Sequence, residues 1–597
     1  MDPDTLTVAS GPWSWLFATV TTAVLLHRWW PSADDKDDPH AGRPLPFPLP
    51  LLLSARRQRI LRCWARNHWA AFRRRLGGVE GMLGRDRRIR PLARAEWPDP
   101  SCLGPGLAAS TWEDLADRIS SACEEWQLDL GRYPSPASKT RGFDSKVPMV
   151  TLYRDSAIWC PFCEMVWLAL EERRIPYKVE KNVCLYGYGD MPLEFAEKSP
   201  ELLVPALQVH GDGGDGNSNE ESIATNAFVI LLDILERPPF TPAKAKEGKR
   251  SPDSPPFPSL MPSPGTELHA AAIDIIMRHR LVARQFFKAT GHFKRTSAWD
   301  SFLWYVQRVL FPSTVQETVK LDKKSLQVAM DECEALLEQD DNGPYFLGDI
   351  FSLCDVVFAP MIERIIALAR YLGGTEFDIF DSKDKWPHLR QWQQAMLNRP
   401  TYRYIAQDQE TIIRIFTLQA AFAKGTPSIL KCLPGLPEPN SCPDAKMILQ
   451  LVHGDERDRR RSVEYRVEAA MTLQRGHTMV AAFAARGIRD GVRDVMWPLL
   501  DLTLRYVCAD LTCSIGPPKP DSKGHVNSVW EKEAQDAYSH IREHHGSGAL
   551  ESLGMALEFL HERISVPRDM SMGAAAHFRA SLARARDVVE DTILYSG

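Results

Sequence analysis

The chain has 597 residues, of which 44% are hydrophobic and 25% are charged. This length exceeds what one hydrophobic core supports, and the composition excludes a disordered or fibrous protein, so we expect about two to four domains. The formal net charge of -5 gives no general attraction to nucleic acid or anionic membranes, and the 12 scattered cysteines do not form the framework of a small disulfide-rich secreted protein.

The amino-terminal region has features of a targeting or anchoring segment. Residues 13–26 form an apolar run that is shorter than the about 20 residues a membrane span needs. Residues 56–94 are rich in arginine and contain no lysine, which is typical of an organelle transit segment and equally of a solvated basic linker. We expect a plastid or mitochondrial destination, with the cytoplasm as the alternative, and membrane contact only through this segment.

A helix and a linker complete the extension, residues 1–146. Ser110 to Glu113 have the spacing of a capping box, so a helix is predicted to begin there. Residues 133–146 are rich in Pro, Ser and Gly and predict a linker.

From residue 147 the pattern becomes that of a small domain of strands and helices, residues 147–240. An apolar run at 147–153 predicts a strand, residues 162–173 predict a helix that packs one face on a sheet, and residues 177–180 predict a second strand. A strand–helix–strand crossover of this kind makes the two strands parallel.

The same domain is predicted to end with a hairpin and a helix. Residues 203–209 predict a strand entered through Pro205, and the Gly-rich stretch 211–219 predicts a hairpin tip. Residues 223–235 predict an apolar helix.

Beyond the proline-rich stretch 238–264, apolar residues recur every three to four positions, which predicts helices only. These predicted helices span residues 268–287, 301–311, 325–337, 356–372 and 388–397. They form a second domain, residues 265–425, and a further helical block of unknown role follows at residues 445–597.

Cys160 and Cys163 are the candidate catalytic residues. Cys160 stands at a strand-to-helix turn, where free amides and the helix dipole favour a thiolate, so we predict that it is the nucleophile. Cys163, one turn later, is predicted to be the resolving thiol that attacks a mixed disulfide on Cys160. Half of a zinc site and two structural thiols are the alternatives; no second cysteine pair follows at zinc-knuckle spacing, and we predict no metal.

The sequences WCPFC, SPELLVPAL and ESIATNAFVILLDIL resemble the glutathione transferase family. They are similar to its cysteine-type classes, omega, lambda and dehydroascorbate reductase, and most of all to omega-like proteins of plants and algae. The resemblance continues through YFLGDIFSLCDVVFAPMIERI and WPHLRQWQQAMLNRPTY and covers about residues 147–407. It implies a multidomain α+β and all-α protein, in which a thioredoxin-like βαβ-ββα domain precedes an all-helical domain.

The resemblance also implies where glutathione binds. It implies a cis peptide bond before Pro205 and main-chain pairing of glutathione with Val204, with Leu203 and Phe162 beside them. Two departures stand out: Met191 replaces a lysine that omega members often carry, so one glutathione contact is missing or substituted, and Cys163 replaces the common Ala or Ser, which makes dithiol chemistry available.

Glu221 and Ser222 are predicted to hold the γ-glutamyl end of glutathione at the start of a helix, although such a pair is usually only a cap. The implied partners are glutathione as cosubstrate and a small-molecule or protein-thiol acceptor. Members of the family commonly form homodimers, so the resemblance allows one here.

The leading hypothesis is glutathione-dependent thiol transfer, with mixed disulfides, dehydroascorbate or glutathionyl conjugates as substrates. Conjugation of electrophiles, with Tyr153 or Ser156 activating glutathione, is the second. A non-catalytic binding or scaffold protein that reuses the fold is the third. Trp304, Tyr305 and Arg364 are either acceptor-pocket or core residues, and core is the more frequent role of such aromatic residues.

Overall fold

The computed structural model describes residues 110–132, 140–143, 147–155, 160–180, 192–199, 203–210, 223–237, 240, 257–289, 322–339, 342–377, 379, 385–413, 456–488, 493–513, 529–545 and 547–595. Within these ranges, no helix has the length and apolar character that crossing a membrane requires. The apolar run 13–26 and the arginine-rich stretch 56–94 lie outside them.

Five strands form one mixed sheet. They are β1 Thr140–Arg141, β2 Val150–Tyr153, β3 Tyr177–Glu180, β4 Ala206–Val209 and β5 Ile223–Thr225. Their order is β1-β3-β2-β4-β5. Strands β2 and β3 are parallel, as predicted, whereas the other three pairs are antiparallel. The predicted strand–helix–strand unit followed by a hairpin and a helix is confirmed.

Helix α2, Pro161–Glu172, makes the crossover between β2 and β3. Pro161 occupies its first turn, where a missing amide hydrogen costs nothing. The sequence predicts that one face of this helix packs on a sheet, and the structure buries the helix further, because every residue from 163 to 171 is buried. The helix lies between the sheet and a long helix of the second domain, so both of its faces are covered.

Two short strands lie where the sequence pattern predicts a linker and the start of a helix, although the resemblance to the βαβ-ββα unit implies the second of them as a strand. Strand β1 lies within the predicted linker, where it pairs with β3 along two residues. Strand β5 occupies the start of the predicted helix 223–235, because Ile223 to Thr225 satisfy their backbone groups by pairing with β4. The chain then turns at Asn226 and continues as helix α4, Val229–Leu235, which is wound as a π-helix.

The α/β domain also contains the short helix α3, Leu193–Lys198. After this domain, the regular elements of the described chain as far as residue 413 include the helices α5 Glu267–Ala289, α6 Lys323–Leu337, α7 Leu353–Gly373, α8 Pro387–Asn398 and α9 Pro400–Ile405. Four of the predicted helices are confirmed with shifts of a few residues at their ends, and the fifth, residues 301–311, lies outside the described ranges. One continuous hydrophobic core joins these helices to the sheet.

A second hydrophobic core holds the carboxyl-terminal helices. Their bounds are α10 Glu456–Ala484, α11 Arg493–Cys513, α12 Val529–His545, α13 Ser547–His561 and α14 Met572–Tyr595. The helix predicted to begin near residue 110, α1 Trp112–Glu125, joins them. Its capping box is formed by Thr111 and Asp114, one residue after the predicted pair Ser110 and Glu113. Its Trp112 donates Nε1–H to Asp501 at 2.7 Å and stacks on His477 at 4.4 Å between ring centroids. We call α1 together with α10 to α14 the bundle.

Buried polar contacts fix the bundle to the end of the helical domain. Arg579 of α14 pairs with Asp408 and lies 3.2 Å from Glu410. The backbone amide of Val566 donates to Thr411 Oγ1 at 3.0 Å. The two cores are therefore joined by directional contacts, which hold the carboxyl-terminal block against residues 408–411.

Candidate functional site

Cys160 lies where strand β2 passes into helix α2. It is the N-cap residue, with φ -71° and ψ 114°, and its side chain makes no capping hydrogen bond. Its backbone carbonyl accepts the amide of Cys163 at 3.1 Å, which closes the first turn. The sulfur is therefore located at the amino end of α2, beside amides that lack partners within the helix.

The Val204 backbone forms the wall opposite Cys160. Cys160 Sγ lies 3.8 Å from the Val204 carbonyl oxygen, and the peptide bond between Val204 and Pro205 is cis, as predicted. Val204 is buried and Phe162 is half-buried, and both pack in one cluster with the two cysteines. The neighbouring Leu203 is 50% exposed, so its side chain is available to a bound molecule.

Cys163 lies in the first turn of α2, three residues after Cys160, and is only 1% exposed. Burial raises the pKa of the Cys163 thiol well above its usual range, and the hydrogen bond with Cys160 acts in the same direction. The backbone amide of Asp155 donates to Cys163 Sγ at 3.5 Å and partly opposes this effect. Cys163 is therefore a protonated thiol at neutral pH.

Asn226 immediately precedes the second helix of the site, in which residues 227–228 are already helical and lead into α4. Asn226 has φ +80°, and its Oδ1 accepts the amide of Phe228 at 2.9 Å while its carbonyl accepts the amide of Ile230 at 3.0 Å. Register pairs Thr225 with Ala206, so Asn226 follows at the level of Pro205. The amino end of this helix therefore faces the Val204–Pro205 segment.

The predicted placement of Glu221 and Ser222 at this helix start is wrong, because strand β5 separates them from it. Both residues themselves lie outside the described ranges. The sequence signal for Asn226 was present but weak: asparagine is among the residues that cap helices and adopt positive φ.

Tyr153, a candidate activator of glutathione, is already engaged. Its hydroxyl donates to Gln208 Oε1 at 2.8 Å in a buried position, and its ring packs against Phe195. Ser156, Met191, Trp304 and Tyr305 lie outside the described ranges.

Arg364 is a core residue and links the two domains behind the cysteines. Its Nη2 lies 3.0 Å from Glu164, the residue that follows Cys163, and its Nη1 donates to the Pro360 carbonyl at 2.5 Å. Burial raises the pKa of Glu164 and, together with the nearby Glu164 charge, raises that of Glu363 well above its usual range. The network fixes α2 against α7.

No cluster of three or more His, Cys, Asp or Glu side chains placed to hold a metal ion occurs among residues 110–595 that the structure describes. The groups that could react or bind a ligand here are the thiols of Cys160 and Cys163 at the start of α2, the exposed Leu203 side chain, and the amino end of the helix that follows Asn226.

Two family models match this part of the chain. Residues 159–228 match the amino-terminal domain of glutathione S-transferases, and residues 316–395 match their carboxyl-terminal domain.

Two curated relatives come from Arabidopsis thaliana. The chain is 33% identical to glutathione S-transferase L2, chloroplastic, over 115 residues, which is 19% of this chain and 37% of that protein. It is 30% identical to glutathione S-transferase L1 over 118 residues, which is 20% of this chain and 47% of that protein. The chain thus spans less than half the length of each of these relatives.

The solved structures that match part of this chain include glutathione transferase Omega 3C from Trametes versicolor. The identity is 19% and the TM-score 0.29, and the match covers 51% of this chain and 95% of that one.

Proposed function

We propose that the chain is a cysteine-type member of the glutathione S-transferase family, whose two domain models match it, and that it catalyses glutathione-dependent thiol transfer. In this proposal Cys160 is the nucleophile, Cys163 is the resolving thiol, and glutathione is the cosubstrate. No metal takes part in the reaction.

The observation that carries the proposal is the position of Cys160 Sγ at the amino end of α2, 3.8 Å from the Val204 carbonyl. The free amides of a helix start favour a thiolate, and a thiolate is the attacking form of cysteine. The adjoining Val204 backbone offers the kind of edge on which an extended peptide, such as the cysteinyl part of glutathione, pairs through main-chain hydrogen bonds.

The reaction exchanges one disulfide for another. The Cys160 thiolate attacks the glutathione sulfur of a mixed disulfide, a bond forms between Cys160 and glutathione, and the acceptor thiolate leaves and takes up a proton. Attack by Cys163, or by a second glutathione, then removes the glutathionyl group from Cys160. The acceptor is a small-molecule or protein thiol, and dehydroascorbate is an alternative oxidant.

The γ-glutamyl end of glutathione is proposed to bind at the helix start capped by Asn226. Backbone amides at a helix amino end bind carboxylates, and this end lies level with Pro205 in the sheet register. Glu221 and Ser222 remain proposed contacts from the preceding hairpin, and Leu203 and Phe162 remain proposed contacts at the cysteine.

The test is reduction of a glutathionylated peptide, followed through NADPH oxidation in an assay coupled to glutathione reductase. We expect Cys160→Ser to lose activity by on the order of a hundredfold or more, because a hydroxyl at this place is a far weaker nucleophile. Cys123→Ser is the matched control, since Cys123 is a half-buried free cysteine of the bundle. Full activity in Cys160→Ser would refute the proposal.

Conjugation of electrophiles is the less supported activity. It needs a hydroxyl that activates glutathione, and the Tyr153 hydroxyl is committed to Gln208. A scaffold protein would show no loss in the assay above, because wild type and Cys160→Ser would both be inactive.

A further inference from the structure

Arg154, the residue after strand β2, is a buried cation. It is 3% exposed, yet its Nε and Nη1 have no hydrogen-bond partner within the described part of the chain. Its guanidinium lies over the Trp167 ring, 4.2 Å from the centroid. Burying a guanidinium whose N–H groups lack hydrogen-bond partners costs free energy, so a role beyond stability is worth seeking for this arginine.

The surroundings of Arg154 place it beside the resolving thiol. Burial lowers the pKa of Arg154, while the charges of Tyr177, Cys163 and Asp155 act to raise it. The next residue along the chain, Asp155, donates its backbone amide to Cys163 Sγ at 3.5 Å. Arg154 and Cys163 therefore share one buried compartment behind Cys160.

A chain of hydrogen bonds holds the ring beneath Arg154. Trp167 Nε1 donates to the Tyr177 hydroxyl at 2.7 Å, and that hydroxyl donates to Glu171 at 2.5 Å. Glu171 in turn accepts two bonds from Arg141 of β1, at 2.8 and 2.9 Å. These hydrogen bonds hold the Trp167 ring in place, and the Arg154 guanidinium is held by its contact with that ring.

We propose that Arg154 is a positioning residue for the second half of the reaction, in which its charge stabilises the thiolate that develops on Cys163. The inference rests on the proposed function, because it concerns the thiol that resolves the adduct on Cys160. It also accounts for a buried guanidinium whose Nε and Nη1 have no hydrogen-bond partner: in addition to the nearby charge of Asp155, the thiolate that forms on Cys163 during the reaction is a further anion for it.

The step that Arg154 assists is balanced without a further reagent. Cys163 gives up its proton, its sulfur attacks Cys160 Sγ, and the bond between Cys160 and glutathione breaks as a Cys160–Cys163 disulfide forms. Glutathione leaves as a thiolate and takes up a proton from water, so the disulfide is exchanged and glutathione is released in reduced form.

The size of the effect follows from thiol chemistry. Each unit by which the Cys163 pKa rises lowers the thiolate fraction about tenfold and raises its intrinsic nucleophilicity about threefold, so attack slows about threefold per unit. Arg154→Met removes a positive charge beside Cys163 and should raise the Cys163 pKa, so we expect closure of the disulfide to slow by about threefold or more.

The experiment mixes reduced protein with oxidised glutathione, quenches with acid at intervals, and measures the glutathionyl adduct and the internal disulfide by intact mass. We expect Arg154→Met to form the adduct on Cys160 at the wild-type rate and to convert it more slowly, and Arg154→Lys to recover part of the loss. Arg174→Met is the matched control, because Arg174 also lies over a ring, that of Phe143, but is exposed. Conversion at the wild-type rate in Arg154→Met would overturn the inference.

Two further measurements keep the outcome clear. The melting temperature of each variant is measured as well, because Arg154→Met also removes the contact with the Trp167 ring. Equal slowing of adduct formation and of its conversion would indicate a structural role and contradict the inference. If the wild type takes up no glutathione, the proposed function fails. Closure of the internal disulfide is then driven with an aromatic disulfide, and an unchanged rate in Arg154→Met would still refute the role of Arg154.

Discussion

The α/β and helical domains, residues 147–413, and the bundle form two regions of the molecule, and each holds a cysteine in a different environment: Cys160 in the first region and Cys508 in the second. Cys160 is the N-cap residue of helix α2, beside free amides and the Val204 backbone. Cys508 lies within α11 in the bundle core, where its thiol donates to the Ala470 carbonyl at 3.7 Å and burial raises its pKa to about 12. If the proposed function is correct, position on a helix rather than residue type decides which of the two thiols reacts.

The largest expected difference between the two regions is in alkylation. At pH 7 a thiol with a pKa of about 12 has a thiolate fraction on the order of one in 100,000, and burial excludes the reagent as well. In pulse labelling with iodoacetamide followed by peptide mass spectrometry, we expect Cys160 to react at least about a thousandfold faster than Cys508. Similar alkylation rates for Cys160 and Cys508 in the folded protein would contradict the proposed difference between the two thiols.

The contact between the regions is the second test. Arg579→Met leaves Asp408 and Glu410 buried without their cation, which we expect to cost about 3–5 kcal/mol of unfolding free energy. The measurement is denaturant unfolding followed by circular dichroism. Arg586→Met is the control, since Arg586 makes a 3.4 Å ion pair with a more exposed carboxylate on the same helix. A loss below about 1 kcal/mol, as for surface pairs, would contradict the buried contact.

A third test uses one buried histidine from each region. Burial lowers the pKa of His279 to about 4 in the helical domain, and burial with Arg466 and Arg584 lowers that of His577 to about 3 in the bundle. Below the ordinary value of 6.5 the unfolded chain takes up a proton that the folded chain refuses, so stability is lost as pH falls.

Each histidine is expected to contribute a slope of about 1.4 kcal/mol per pH unit between pH 6.5 and its folded value. His279→Gln and His577→Gln should each remove one such slope, which denaturant unfolding at several pH values measures. Slopes equal to that of the wild type would show that these rings are protonated in the folded protein.

The smallest expected effect concerns glutathione binding. Asn226→Ala removes the cap on Phe228 and places a side chain that disfavours positive φ at φ +80°, at a cost of about 1 kcal/mol. We expect the KM for glutathione to rise about fivefold with little change in kcat. Asn226→Gly, which tolerates this backbone, should show a smaller rise; an unchanged KM in Asn226→Ala would exclude this helix end from the binding site.

Local signals in the sequence predicted the parts of the site that depend on short segments. The spacing of Cys160 and Cys163 before an apolar helix, and Pro205 in the third predicted strand, are legible within a few residues. Asn226 was missed because the apolar run around it allows both the observed short strand and a helix from residue 223. Apolar spacing alone does not separate these alternatives.

Long-range contacts account for what the sequence did not reveal. Strand β1 is two residues long and is held by the ion pair between Arg141 and Glu171, 30 positions apart. Helix α1 packs into the bundle through Trp112 and Asp501, 389 positions apart. In the sequence, Arg154 follows an apolar run, which is also a usual place for a solvent-exposed charge. Its burial is therefore visible only in the folded structure.

The role of Cys160 is tested by intact and peptide mass spectrometry of the folded protein after exposure to oxidised glutathione under limiting conditions, with Cys163→Ser used to trap the adduct. We expect one glutathionyl group, carried by Cys160. No adduct, or an adduct carried by another cysteine while Cys160 stays free, would contradict this role.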